Sequence, residues 1–194
     1  MQLNVQSYLP LRELFMSEDK HLLKLLRHGD SFALRRLYEK YRTDLFTVAL
    51  SLIHDVQTAE DCLQDVFVRL AEGAADMEIC RNLKGYLISS VANRARDRLR
   101  KKTKLLDRTE SFGCSASATD PVKVLIGREE SARVFNMLMR LPYAQREVFV
   151  LHVQGEMKFR EIAKLQNVSI KTVLSRYHYG IEKLQALLQK DNTK

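Results

Sequence analysis

KFREIAKLQNVSIKTVLSRYHYGIEKL, residues 158–184, decides how the second half of this chain folds. Phe159, Ile162 and Ala163 lie at helical spacing on one face of a short first helix. Gln166-Asn167 breaks that period, and Asn is one of the few residues that tolerates the left-handed conformation a tight turn requires. Ser169 is placed to cap a second helix, along which Val173, Tyr177, Ile181 and Leu184 form the inward stripe. The opposite face, counting Ser169 at its start, carries Ser169, Lys171, Thr172, Ser175, Arg176, His178 and Tyr179. These donors, acceptors and cations suit base edges and phosphates. The layout is that of a DNA-reading helix-turn-helix. A helical hairpin buried in a core has the same period, so the choice between them rests on the rest of the chain.

The charge distribution favours a polyanion. The chain has 194 residues and a formal net charge of +8, from 32 basic and 24 acidic residues. Residues 81–108 hold ten basic side chains (Arg81, Lys84, Arg94, Arg96, Arg98, Arg100, Lys101, Lys102, Lys104, Arg108) against Asp97 and Asp107, so this segment alone carries the whole excess. A concentrated field of this kind attracts nucleic acid, although a solvated basic helix face has the same composition. With 7 Gly, 3 Pro and long Leu/Ala/Arg/Glu-rich stretches, the chain reads as almost wholly helical.

Other classes find little support. Cys62, Cys80 and Cys114 are odd in number and form no CxxC or Cys/His cluster, so no metal site is expected; they read as reduced thiols of a cytoplasmic protein, Cys62 as a small core residue. The N-terminus lacks a basic start followed by an apolar run, and no run approaches the roughly 20 residues of a membrane span. No Gly-rich phosphate loop and no convincing nucleophile–base set occurs, so neither an enzyme nor a cofactor is expected. Glu60, Asp61 and Asp65 on one helix read as surface charges rather than a catalytic pair.

Along the chain, residues 1–16 form an irregular or weakly helical leader containing Pro10. A short helix opens at Ser17 and ends at Gly29, and Asp30 caps the next, which His54-Asp55-Val56-Gln57 breaks. Thr58 is placed to cap a third helix, with Asp61 three residues on as a near capping box, ending at Gly73. Residues 73–81 form a loop, and a long fourth helix runs from about Asn82 to Lys102. Residues 103–120 are rich in Ser, Thr, Ala and Gly without an amphipathic period, and read as a mobile linker. Asp120-Pro121 restarts order, with a helix from Val122 to Leu141 and another from Tyr143 to Val153 before the helix-turn-helix. The fold class is therefore all-α, with two small helical domains at 17–104 and 121–194 joined by a flexible linker at 105–120.

From about Asp30 to Leu188, linker apart, the chain resembles the extracytoplasmic-function group of bacterial RNA polymerase sigma factors. AEDCLQDVFVRL (59–70) is similar to the helix that docks on the clamp coiled coil of core polymerase. NLKGYLISSVANRARDRLRKK (82–102) is similar to the promoter-melting, −10-reading helix, and residues 138–184 resemble the −35-reading domain. The resemblance implies a factor that binds core RNA polymerase and directs initiation at particular promoters. It implies core polymerase, promoter DNA and an anti-sigma factor as partners, and no membrane insertion.

The residues agree with the implied roles. Asp61, Gln64, Asp65 and Val68 share a helical face that sets carboxylates and an amide beside apolar atoms, which suits an Arg-rich partner surface; a solvated acidic face would look the same. Leu63, Val66, Phe67 and Leu70 would be core. In the basic helix the resemblance places Asn93 and Asp97 near a captured, unstacked base, with Arg94, Arg98, Arg100, Lys101 and Lys102 on phosphates. Tyr86 stands where the family commonly has tryptophan, and reads either as part of this −10 surface or as core, the core reading being preferred. At the −35 face, Ser175 and Arg176 match the family pattern. Tyr179 replaces a common arginine, so the sequence read would differ from the usual one. The rival within nucleic-acid binding is a two-domain helix-turn-helix regulator that does not load polymerase; it would have no need of the face at 61–68. A helical interaction scaffold would leave the basic segment unexplained.

Overall fold

The computed structural model describes the backbone of residues 9–73, 82–106 and 129–191, and the side chains of residues 18–73, 82–101 and 133–190. Eight helices lie within them: α1 Leu9–Arg27, α2 Ser31–Ile53, α3 Val56–Glu72, α4 Leu83–Leu106, α5 Glu129–Met139, α6 Tyr143–Val153, α7 Phe159–Gln166 and α8 Ile170–Asp191. No strand occurs among the described residues. The first four helices form one module around α2, and the last four form a second in which α8 packs on α5, α6 and α7.

Local rules explain most boundaries. Asp30 caps α2 by accepting from Phe32 N–H at 2.8 Å. His54 ends that helix in the left-handed region (φ 60°). The third helix begins earlier than Thr58: Asp55 is its cap, accepting from Thr58 N–H at 2.8 Å and from the Thr58 hydroxyl. Both residues are good caps, and the carboxylate two residues upstream of Gln57 reaches two donors where a Thr58 hydroxyl would reach one. At the front of the chain, α1 starts at Leu9 rather than Ser17. Pro10 falls in its first turn, where a missing N–H costs nothing, so it does not break the helix. The fourth helix continues past Lys102 to Leu106, into the stretch whose composition suggests a linker. The loop 74–81, the linker from 107 and the helix start at 122–128 lie outside the described residues, as do Cys80, Cys114, Leu125 and Ile126.

The cores follow the helical period. Leu37, Leu45, Val48 and Leu52 of α2 are fully buried, as are Leu70 of α3 and Leu87, Ile88 and Val91 of α4. Leu63, Val66 and Phe67 are buried with them, and Cys62 is a fully buried thiol. A buried polar anchor helps fix α1 on α2. The buried Asp19 accepts from Tyr41 O–H at 2.6 Å and from Lys40 Nζ at 2.7 Å. In the second module Leu138, Val148, Val150, Leu151, Ile162 and Val173 close the core.

The modules pack on each other through α2 and α4 on one side and α5, α6 and the α6–α7 turn on the other. Arg146 donates from Nη2 to the Leu52 carbonyl at 3.1 Å, Ser51 Oγ donates to Gln154 Oε1 at 3.2 Å, and His54 stacks on Phe135 at 5.2 Å. Lys84 bridges Asp44 of its own module (3.0 Å) and Glu156 of the other (2.8 Å). Burial works against the Lys84 charge, but the two carboxylates outweigh it and raise its pKa. Gly155 lets the turn come close: a Cβ there would stand 2.5 Å from the Leu151 carbonyl oxygen and 3.1 Å from Ile88 of α4.

Candidate nucleic-acid and polymerase interfaces

The helix-turn-helix forms as its residue types dictate. Ile162 and Ala163 are buried and Phe159 is half-buried against Tyr177, whose ring it meets edge-on at 5.1 Å. Gln166 belongs to α7; the break comes one residue later, at Asn167, which adopts the left-handed conformation (φ 52°, ψ 47°). Ser169 Oγ then accepts from Thr172 N–H at 3.1 Å at the start of α8. Val173 is buried, while Tyr177, Ile181 and Leu184 are half-buried along the inward face. Of the residues assigned to the −35 face, Ser169, Lys171, Ser175, His178 and Tyr179 are exposed, and Thr172 and Arg176 are half-buried. Arg176 is not loose: its Nη1 donates to Gln166 Oε1 at 2.7 Å.

Of the polar residues assigned to the −10 face of α4, Asn93, Asp97, Arg100 and Lys101 are exposed and Arg94 and Arg98 half-buried. Asn93 Oδ1 accepts from Arg96 Nη1 at 3.0 Å, and Asp97 accepts from Arg100 Nη2 at 3.3 Å. The α4 helix is thus a basic face with an amide and a carboxylate set among the cations. Tyr86 is 41% exposed, so it is not a core residue. It lines, with Asn82 just before α4, Gly85 and Ser89 of α4, and Met157, Glu161, Lys164 and Leu165 of the second module, a cleft of about 470 Å³ between the modules.

On α3, Gln64 and Val68 are exposed (Val68 by 54%), and Asp61 and Asp65 are half-buried. Asp65 Oδ2 accepts from Arg98 Nη2 at 3.3 Å. Two surfaces that the sequence treats separately therefore meet edge to edge, the acidic-amide face of α3 against the basic face of α4. Both partners of this ion pair are 41% exposed, where such pairs are worth about 0–1 kcal/mol, so either can exchange its partner for an external one.

Sequence reasoning passed over Glu147. It is only 3% exposed, on the inward face of α6. Oε1 accepts from Arg96 Nε and Nη2 of α4 at 3.2 and 2.6 Å and from Tyr143 O–H at 3.4 Å, and Oε2 accepts from Gln166 Nε2 at 2.8 Å. Burial, reinforced by the Glu147 charge, raises the Tyr143 pKa, so its hydroxyl stays a donor. A lone carboxylate at an inward register of an apolar helix was the available signal. Among the described residues no cluster of three or more His, Cys, Asp or Glu is placed to hold a metal ion, and no helix is long and apolar enough to cross a membrane.

Comparison with known proteins agrees with this arrangement. The Sigma-70 region 2 family matches residues 37–105, and the Sigma-70 region 4 family matches residues 131–184. The chain is 27% identical over 181 residues to the ECF RNA polymerase sigma factor SigW of Bacillus subtilis, covering 88% of this chain and 96% of that one. It is 27% identical to the RNA polymerase sigma factor NccH of Alcaligenes xylosoxydans xylosoxydans, covering 89% and 96%. Among solved structures, CnrH in complex with the cytosolic domain of CnrY superposes with a TM-score of 0.62 at 26% identity, covering 90% of this chain and 99% of that one. The sigma factor RpoE of Bartonella quintana, in complex with the anti-sigma factor NepR, shares the fold with a TM-score of 0.60 at 20% identity, covering 80% and 98%. The chain belongs to the extracytoplasmic-function group of RNA polymerase sigma factors, with region 2 in its first module and region 4 in its second.

Proposed function

We propose that this sigma factor docks on core RNA polymerase through the α3 face of Asp61, Gln64, Asp65 and Val68, reads the −10 element with α4 and reads the −35 element with α8. The observation that carries the reading is the adjacency of an acidic-amide face on α3 and a basic face on α4, followed in the chain by a helix-turn-helix. A regulator that only binds DNA would use the second feature without the first. Asn93, with Asp97 one turn on, is placed to take a base edge, and Tyr86 to stack on one. Arg94, Arg98, Arg100 and Lys101 neutralise phosphates, which makes binding steeply salt-dependent. On α8, Ser175 and Arg176 face the −35 groove, flanked by Ser169, Lys171, Thr172, His178 and Tyr179. The domain bounds, 17–104 and 121–194 by sequence, widen for the first domain to 9–106 with the extents of α1 and α4, which leaves 107–120 as the tether.

Reaching both elements requires the modules to separate. At about 3.4 Å per base pair, the −10 and −35 elements lie roughly 85 Å apart on a B-form duplex. In the packed arrangement Arg96 and Arg176 are joined through only two intervening side chains. The protein works in the cytoplasm and performs no chemistry of its own; its binding free energy positions polymerase and holds an open strand. Its regulator is a protein that caps both modules, an anti-sigma factor of the kind bound to RpoE in the complex with NepR.

The test is Gln64→Ala combined with Asp65→Ala, measured for binding to core polymerase, with Arg98→Ala as the control for the lost Asp65–Arg98 pair. Binding falls in the double variant and holds in the control. Wild-type affinity in the double variant removes α3 from the docking site.

A further inference from the structure

We propose that Gln166, held by the buried carboxylate of Glu147, is a positioning residue that sets the orientation of Arg176 for reading the upstream promoter element. The proposal rests on the assignment of α8 to that element. Three helices converge on it. Glu147 comes from the inward face of α6, Gln166 is the last residue of α7, and Arg176 lies in the second turn of α8. Gln166 Nε2 donates to Glu147 Oε2 at 2.8 Å while its Oε1 accepts from Arg176 Nη1 at 2.7 Å.

The amide has one workable orientation here. A carboxylate only accepts and a guanidinium only donates, so the reversed amide would set donor against donor and acceptor against acceptor. Glu147 fixes the amide, and the amide fixes the guanidinium. Glu147 is itself held, being 3% exposed with Tyr143 and Arg96 on its other oxygen. Because Gln166 uses Oε2 and Arg96 uses Oε1, the link to Arg176 lies wholly within the second module and does not depend on the modules being packed together. The backbone helps as well: the left-handed Asn167 ends α7 directly after Gln166 and so fixes where that side chain starts.

Only one of the five guanidinium N–H donors is taken up by Gln166. The others remain for a base edge or phosphate, and the arginine meets DNA with its direction already set. A pre-oriented side chain loses less rotational freedom on binding, and the advantage is greatest where two hydrogen bonds must form at once, as on a guanine edge. Gln166 therefore acts through Arg176 without touching DNA.

The experiment uses the full chain assembled with core polymerase, transcribing a template library randomised over the upstream element. Wild type, Gln166→Met, Arg176→Ala and the double variant are compared, with the melting temperature of each. Met keeps the length of Gln166 and removes both hydrogen bonds. The expected result is an upstream preference for wild type that Gln166→Met lowers about 3- to 10-fold, at the same base positions that Arg176→Ala flattens. In the Arg176→Ala background Gln166→Met has no further effect on preference, while its effect on melting temperature persists.

An unchanged preference, a further loss in the double variant or an even weakening over all sequences overturns the positioning role alone. A wild-type chain that transcribes with no upstream preference overturns the assignment of α8, and the positioning role with it. A second readout needs no variant. In ¹⁵N-edited NMR of the wild-type chain, separate, slowly exchanging Arg176 Nη–H signals are expected, and a single averaged signal from a freely rotating guanidinium contradicts the proposal.

Discussion

Removing the Arg96 guanidinium will loosen the packing of the two modules. Arg96 gives Glu147 two charge-assisted hydrogen bonds, at 3.2 and 2.6 Å, across the seam between α4 and α6. Its partner side chain is 5% exposed and its own is 35% exposed. Hydrogen bonds to charged groups contribute about 1.5–3 kcal/mol net each when desolvated, and the exposure of Arg96 reduces that. After Arg96→Ala the carboxylate keeps Gln166 and Tyr143, and opening would let water reach the oxygen that Arg96 vacated. The loss to the packed state is therefore about 1.5–2.5 kcal/mol, or roughly 10- to 70-fold in the closed-to-open ratio.

The other polar contacts of the seam are weaker than the Arg96–Glu147 pair. Lys84–Glu156 has a partner that is 72% exposed, and Arg146 is pressed into the interface with Nε lacking any hydrogen-bond partner among the described residues. Fluorescence transfer between labels on α3 and α8 reads the distance directly, and X-ray scattering reads the radius of gyration, about 16 Å for a compact chain of this length. Arg96→Ala is expected to lower transfer, raise the radius of gyration and shift opening to lower salt. Wild-type values of all three would refute the claim that the Arg96–Glu147 pair holds the modules together.

Three local predictions follow from the same structure. Asn167→Val is expected to destabilise the second module by about 1–2 kcal/mol, because a β-branched residue is strained in the left-handed backbone that Asn adopts; Asn167→Gly is expected to fall within about 0.5 kcal/mol of wild type in denaturant unfolding. Asp55→Ala removes the acceptor for both Thr58 donors and is expected to cost about 1 kcal/mol, with Thr58→Ala costing less; equal costs would return the cap to Thr58. Burial raises the Cys62 thiol pKa above its ordinary value, with the nearby Arg98 charge opposing. Since the folded pKa is the higher one, stability is intact below the unfolded thiol pKa and declines as pH rises beyond it, towards the folded value. In a C80S/C114S background, alkylation of Cys62 at pH 8 is thus expected only at the rate of opening, and fast labelling of the native protein would contradict its burial.

The parts legible in the sequence were those governed by neighbours within a turn or two. Asn167, Ser169 and Asp30 each answer to one short-range rule, and the inward stripe of Val173 and Tyr177 answers to the helical period. The sequence is ambiguous where two local rules compete. Asp55 and Thr58 are both good caps, and only the geometry shows the carboxylate taking both donors. Pro10 reads as a breaker or as a first-turn residue, and α1 takes the second option.

The Glu147 network lay beyond such rules. Tyr143 lies one turn away, but the partners Arg96 and Gln166 stand 51 and 19 residues away, and the Gln166 that completes the network reads in sequence as part of the turn. The Asp65–Arg98 pair is similar: the sequence suggests different partners for the two residues, and only the packing of α3 on α4 puts them side by side. Tyr86 departs from the core reading because an aromatic in an amphipathic helix is ordinarily core, whereas here its neighbours Leu87 and Ile88 fill that space and leave it at the cleft.

Promoter-directed initiation by this chain is best tested by adding it, purified, to bacterial core RNA polymerase and sequencing the transcripts made from a promoter pool. A stable complex is expected, with transcripts that begin at discrete start sites preceded by shared −10 and −35 sequences. DNA binding with no polymerase binding, or transcripts no different from those of core alone, would contradict it.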